Sequence, residues 1–130
     1  MAVVEERVRE LAQGPNFAAL TVNLRSGAAM THVMWVDADD EHVLINTEVH
    51  RSKFKAVERD PRVTVMIWDR DNPYSYVEIR GKVVATTRGQ EARDHIDALA
   101  QKYFGRDYDP ANIQSERVIL RIAPDVQRTR

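Results

Sequence analysis

Three basic side chains, Arg51, Lys53 and Lys55, crowd the turn after the apolar run Val43-Leu-Ile-Asn-Thr47. A short amphipathic stretch begins near Ser52 and stops at Asp60-Pro61, because the residue before a proline is driven out of helical geometry. A strand, a basic turn and a short helix, in that order, make a corner that can hold an anion. The free N–H groups of the helix start point outward, the helix dipole favours negative charge, and the basic residues add formal charge. Phosphate or carboxylate binding is the chemistry such a corner serves. Ser52 is placed to cap the helix through its hydroxyl, and Phe54 and Val57 form its apolar stripe.

Other chemistries find little support. The 130 residues include no cysteine, which excludes disulfides, thiolate metal sites and a cysteine nucleophile. His32, His42, His50 and His95 share no metal-ligand spacing. A nucleophile elbow, a Walker loop and a G-x-G-x-x-G turn are all missing. The acidic run Asp37-Ala-Asp-Asp-Glu41 lacks the glycine and terminal glutamate of a calcium loop, so it reads as a solvated hairpin tip. A formal net charge of −1 argues against a general nucleic-acid-binding surface, so an anion site must be local. No apolar run is long enough to span a bilayer, and Met1-Ala-Val-Val-Glu5 puts acid directly after its apolar residues, unlike a signal peptide. The expectation is a cytoplasmic protein whose ligands are small molecules rather than nucleic acid or membrane.

The elements that position the corner follow from periodicity. Residues 1–130 read as one domain. A helix over residues 3–13 carries Val4, Val8, Leu11 and Ala12 on one face. A strand over 17–24 turns at Arg25-Ser26-Gly27 into a second over 28–37, whose two largely apolar faces predict cover on both sides. Strands over 42–47 and 63–69 flank the corner. A long strand over 74–86 is interrupted at Gly81, which predicts a bulge or a close backbone approach. Thr87-Arg-Gly-Gln90 fits a capping box for a helix running to about Phe104, with Ala92, Ile96, Leu99 and Tyr103 on its stripe. A last strand over 117–123 turns Val118, Leu120 and Ile122 inward and ends at Pro124. Six strands in hairpin succession imply an antiparallel sheet that closes to protect its edges. A flat cofactor could lie along the Met30–Val36 strand beside Asn46-Thr47. Trp35, Trp68, Tyr74 and Tyr76 either enclose its ring or serve as packing and interface residues.

The run Val43-Leu-Ile-Asn-Thr47, Arg51-Ser-Lys53, Asp60-Pro-Arg-Val63, Asn72-Pro-Tyr74 and Val77-Glu-Ile-Arg-Gly81 resembles the split-barrel flavin/deazaflavin oxidoreductase superfamily, the relatives of pyridoxamine 5'-phosphate oxidase. The likeness extends from Phe17 to about Ile122 and is nearest to the small F-420-dependent branch. It implies a mainly β, six-stranded antiparallel split β-barrel with flanking helices. It also implies a homodimer with the cofactor site at the subunit interface. By this resemblance His32, Val33, Met34, Trp35 and Val36 run along the cofactor ring, and Asn46, Thr47, Arg51, Ser52 and Lys53 hold its phosphate. Lys55 adds charge for an anionic tail, and Trp68 and Tyr74 lie where the second subunit contributes. The implied cofactor is coenzyme F-420, a deazaflavin, with FMN as the alternative. The consecutive Arg-Lys pair of pyridoxamine 5'-phosphate oxidase stands here as Arg51-Ser52-Lys53, and its longer C-terminal segment is missing. Vitamin B6 oxidation is therefore not expected. Hydride transfer from the reduced deazaflavin to a conjugated small-molecule acceptor is the implied activity. An FMN enzyme of the same fold and a non-catalytic cofactor-binding barrel are the competing readings.

Overall fold

Two residues, Trp35 and Val36, carry the chain from one edge of its sheet to the other. In the computed structural model, which describes residues 3–130, the strand order is β2-β1-β5-β6-β7-β4-β3. The outermost strands β2 (Ala29–Met34) and β3 (Asp37–Ala38) are separated only by that link. Laid flat, seven strands would hold those edges about 29 Å apart, whereas the link from Met34 to Asp37 reaches about 11 Å at full extension. The sheet must therefore curl until its edges meet, and the result is an antiparallel open barrel. Met1 and Ala2, where the reading of the N-terminus began, lie outside the described residues.

The same link corrects the expected strand count from six to seven. Residues 28–37 do not form one strand, because α3 (Gln90–Phe104) captures the Val36 peptide in place of a strand partner. The Val36 N–H donates to the Tyr103 hydroxyl at 3.1 Å, and Lys102 Nζ donates to the Val36 carbonyl at 2.5 Å. Nor is β2 covered on both sides. It is an edge strand, with Met30 and Met34 packed on the core but Ala29, Thr31 and Val33 exposed.

The barrel interior follows from alternation. Ala18, Leu20 and Val22 of β1 (Phe17–Asn23) and Val63, Val65 and Ile67 of β5 (Arg62–Asp69) point inward. So do Val77 and Ile79 of β6 (Asn72–Thr87) and Val118, Leu120 and Ile122 of β7 (Arg117–Thr129). Val8, Leu11 and Ala12 of α1 (Glu6–Gln13) close one region of this core, and Phe54, Ala56 and Val57 of α2 (Ser52–Arg59) close another. Each large aliphatic side chain buried here contributes about 1.5–3 kcal/mol. On the outside, Ala92 of α3 packs on Leu44 and Ile119, so β4 (Val43–Glu48) is buried at every residue. The charged and polar members of that outer face, Asn46, Glu48 and Arg117, are thereby buried too.

Local chemistry explains the remaining differences. Gly81 stands at both a bulge and a close approach: the β6/β7 register shifts beside it, and a Cβ there would lie 2.0 Å from the Ala123 carbonyl oxygen. Opposite Gly81 sits Pro124, which does not end β7 as expected; a proline needs no ladder N–H at a bulge, and pairing resumes through Thr129. The expected capping box is absent, because Thr87 Oγ1 accepts from Arg121 Nε at 2.8 Å and Gly89, at φ 75, starts the helix. Ser52 likewise caps nothing. Arg51 holds the N-cap position without a side-chain bond, and the Ser52 hydroxyl contacts Met30 Sδ at 3.8 Å. Among the described residues, no helix is long and apolar enough to cross a membrane.

Candidate functional site

The outer face of β4 and β7 carries a buried polar chain. Glu48 pairs with Arg117 across the ladder, and Asn46 lies one turn of the pleat away. The Asn46 oxygen accepts from Arg117 Nε at 2.9 Å, while its amide nitrogen donates to the Ala92 carbonyl at 3.0 Å and meets His95 Nδ1 at 3.0 Å. That orientation makes Nδ1 the acceptor, so Nε2 carries the proton and donates to Asp37 Oδ2 at 3.1 Å. Burial pushes the Asp37 carboxyl up, but the His95 and Ala38 hydrogen bonds and the Lys102 charge outweigh it and leave Asp37 below its ordinary range. The chain Asp37–His95–Asn46–Arg117–Glu48 thus fixes each member by its neighbour.

Glu48 anchors the other end. Its Oε1 accepts from the backbone N–H groups of Gln114 and Ser115 at 2.6 and 2.7 Å, and its Oε2 faces Arg117 at 3.4 Å and Arg51 at 4.0 Å. Burial raises this carboxyl; the two amides and Arg117 overcome that and hold it below the usual carboxylate range. The loop over residues 105–116 is thereby tied down. Its Tyr108 lies edge-on to Trp35 at 6.0 Å and over the Arg117 guanidinium at 5.4 Å.

Between β2, β4 and the start of α2 these groups enclose a cleft of about 330 Å³. Val33, Met34 and Trp35 line one wall, and Asn46 and Thr47 line the floor. Arg51, Lys53 and Arg117 form the cationic end, and Ile96 and Tyr108 the cover. The α2 amides of Ser52 and Lys53 make no backbone hydrogen bond among the described residues, as expected for the first turn of a helix. Burial lowers the Lys53 ammonium below the ordinary lysine range, and repulsion from Arg51 and Arg117 adds to the shift. A cleft with an apolar wall, three cations and a helix N-terminus fits a flat ligand with an anionic end.

Seven of the residues singled out in the sequence meet here: Val33, Met34, Trp35, Asn46, Thr47, Arg51 and Lys53. The others lie elsewhere in the single chain. Val36 is fully buried in the core, because α3 pulls its peptide inward. His32 is exposed on the edge strand, and Lys55 points to solvent from the outer side of α2. Ser52 turns toward Met30. Trp68 packs on Phe17 at 6.5 Å, and Tyr74 is 89% exposed beside the β5–β6 hairpin. Trp35 lines the cleft and also packs, stacking on Tyr103 at 4.9 Å and 12°. Arg117, Tyr108 and Ile96 escaped the sequence reading. The signal for Arg117 was present in the strand pattern, since Arg117 and Arg121 flank Ile119 on a face that an amphipathic helix could cover.

The pyridoxamine 5'-phosphate oxidase family matches residues 4–129. Among solved structures, an F420 reductase shares 26% identity at a TM-score of 0.83, with 96% of this chain and 98% of that chain covered. A conserved hypothetical protein from Mycobacterium tuberculosis shares 20% identity at a TM-score of 0.76, covering 98% and 85%. The haem storage protein HutZ from Vibrio cholerae shares the fold at 13% identity and a TM-score of 0.64, covering 96% and 93%. Among curated proteins, none matches the sequence.

Proposed function

From the premise that the chain belongs to the pyridoxamine 5'-phosphate oxidase family, we propose that it is an oxidoreductase that uses coenzyme F-420 on a conjugated small-molecule acceptor. The observation that carries this reading is the cleft itself, where an apolar wall of Val33, Met34 and Trp35 leads to Arg51, Lys53 and Arg117. The likeness to an F420 reductase over nearly the full length of both chains supports the deazaflavin over FMN.

When bound, the reduced deazaflavin supplies the hydride that an electrophilic carbon of the acceptor receives. The chain's own residues bind, orient and exclude water. Arg51, Lys53 and the two free amides of α2 hold the phosphate end. Trp35, braced from behind by Tyr103, gives the ring a fixed wall. Tyr108 and Ile96 add apolar surface to the cleft lining. Burial pushes the Tyr103 phenol up to about 12, so it serves as a neutral brace rather than an acid.

We read the protein as a homodimer whose second copy completes the site. Beside the cleft, Val33 is 67% exposed; Met66, 37% exposed, shares its row through Ala19, and the Thr21–Thr31 pair forms the neighbouring row of the same uncovered sheet face. Sedimentation velocity is expected to report twice the 14.9 kDa chain mass; a single-chain mass at micromolar concentration overturns this part. Titration of the pure protein with F-420 and with FMN tests the cofactor, and turnover of reduced F-420 with conjugated acceptors tests catalysis against mere storage.

A further inference from the structure

Arg117 is the charged group of the cleft that the basic corner does not supply. Its side chain is 8% exposed, yet it belongs to the cleft wall. Asn46 holds its Nε at 2.9 Å, Glu48 holds its Nη1 at 3.4 Å, and Tyr108 covers its plane at 5.4 Å. Its Nη2 makes no hydrogen bond among the described residues, and the residue lines the cleft. A guanidinium fixed on three sides with one amino group to spare is a preorganised donor for an anion.

The surrounding charges decide what kind of anion. Arg93 and Arg88, the neighbouring cations, are answered by Asp97 at 2.7 Å and Glu116 at 3.3 Å. Among the described residues, Arg51 and Arg117 share the carboxylate of Glu48, and Lys53 pairs with no carboxylate. Three cations against one carboxylate leave a surplus of two positive charges in a partly buried space. A singly charged ligand leaves part of that charge unmatched and desolvated, which is unfavourable. Burial first, and then the charges of Arg51 and Arg117, lower the Lys53 ammonium, in keeping with a surplus of cations in this space.

We propose that Arg117 is the selectivity-determining cation of the cleft, and that the cleft takes a ligand end bearing two negative charges. This rests on reading the cleft as the cofactor site. Two sources carry such an end: a phosphate monoester, as in FMN, or a phosphodiester with a neighbouring carboxylate, as in F-420.

The test uses phenyl phosphate and phenyl sulfate, which share a shape and differ by one charge at pH 8, where a phosphate monoester is a dianion. Binding is followed by tryptophan fluorescence on the full chain, with circular dichroism to establish folding. Phenyl phosphate is expected to bind at least tenfold tighter than phenyl sulfate. Arg117→Gln should bring that ratio close to one, while Arg117→Lys, which keeps the charge and the Glu48 partner, should preserve most of it. Equal affinity of the wild-type protein for the two ligands overturns the proposal. So does a ratio unchanged in Arg117→Gln, or both ligands weakened alike in both variants, which is the pattern of a purely structural arginine. Parallel titrations with FMN and F-420 identify the source, and the cofactor that binds should lose at least tenfold in Arg117→Gln. If neither cofactor binds while the phenyl phosphate ratio still depends on Arg117, the cofactor reading fails and this inference stands. If a cofactor binds with equal affinity to both proteins, the inference fails and the cofactor reading stands.

Discussion

Arg51 and Lys53 differ in what surrounds them, although they sit two residues apart. Arg51 is half exposed and reaches Glu48 only at 4.0 Å, whereas Lys53 is half-buried between two guanidinium groups. Replacing both by alanine is expected to weaken cofactor binding at least tenfold, the scale of losing charge-assisted hydrogen bonds at about 1.5–3 kcal/mol each. Thermal stability should barely move, because such cations contribute little to folding; unchanged affinity refutes the assignment. The pH profile carries a second sign. Lys53 binds an anion only when protonated, and its proton leaves below the ordinary lysine range. Affinity should therefore hold at neutral pH and decline as pH climbs toward that range, and the double variant should lose the decline. These two residues were legible because basic side chains at a helix start are a local pattern. Arg117 was legible only as a charge on one strand face; that α3 covers this face of β7 and buries it is a tertiary fact.

The elements show where local chemistry predicts well and where pairing overrides it. Gly81 was readable as an interruption of alternation, and the structure gives the reason in the Ala123 carbonyl that would meet a Cβ at 2.0 Å. Gly81→Ala should destabilise the protein at the upper end of the roughly 1–3 kcal/mol typical of overpacking, measured as a lower midpoint in urea. A midpoint equal to wild type would show that the β6–β7 ladder yields without cost. Pro124 illustrates the opposite case. Its missing N–H reads as a strand end, yet the bulge opposite Gly81 leaves no donor needed there, and β7 runs on to Thr129. Capping failed at Thr87 because its side chain has a tertiary partner in Arg121, and at Ser52 because the helix starts one residue earlier, with Arg51 at the N-cap.

At the scale of the whole molecule, antiparallel closure was legible from short turns and alternating strands, but the seventh strand was not. It exists because the β2–β3 link must cross between the sheet edges, and Lys102 and Tyr103 hold that link from α3. Half of the candidate site follows from this closure. It brings the wall of β2, at one end of the strand order, beside the floor of β4, next to last at the other. The proposal that this junction binds a deazaflavin is tested by titrating the purified protein with F-420, followed by cofactor fluorescence, beside a matched FMN titration. The account predicts saturable F-420 binding at micromolar concentration, tighter than FMN and weakened by the Arg51/Lys53 double substitution. Failure of F-420 to bind at that concentration contradicts it.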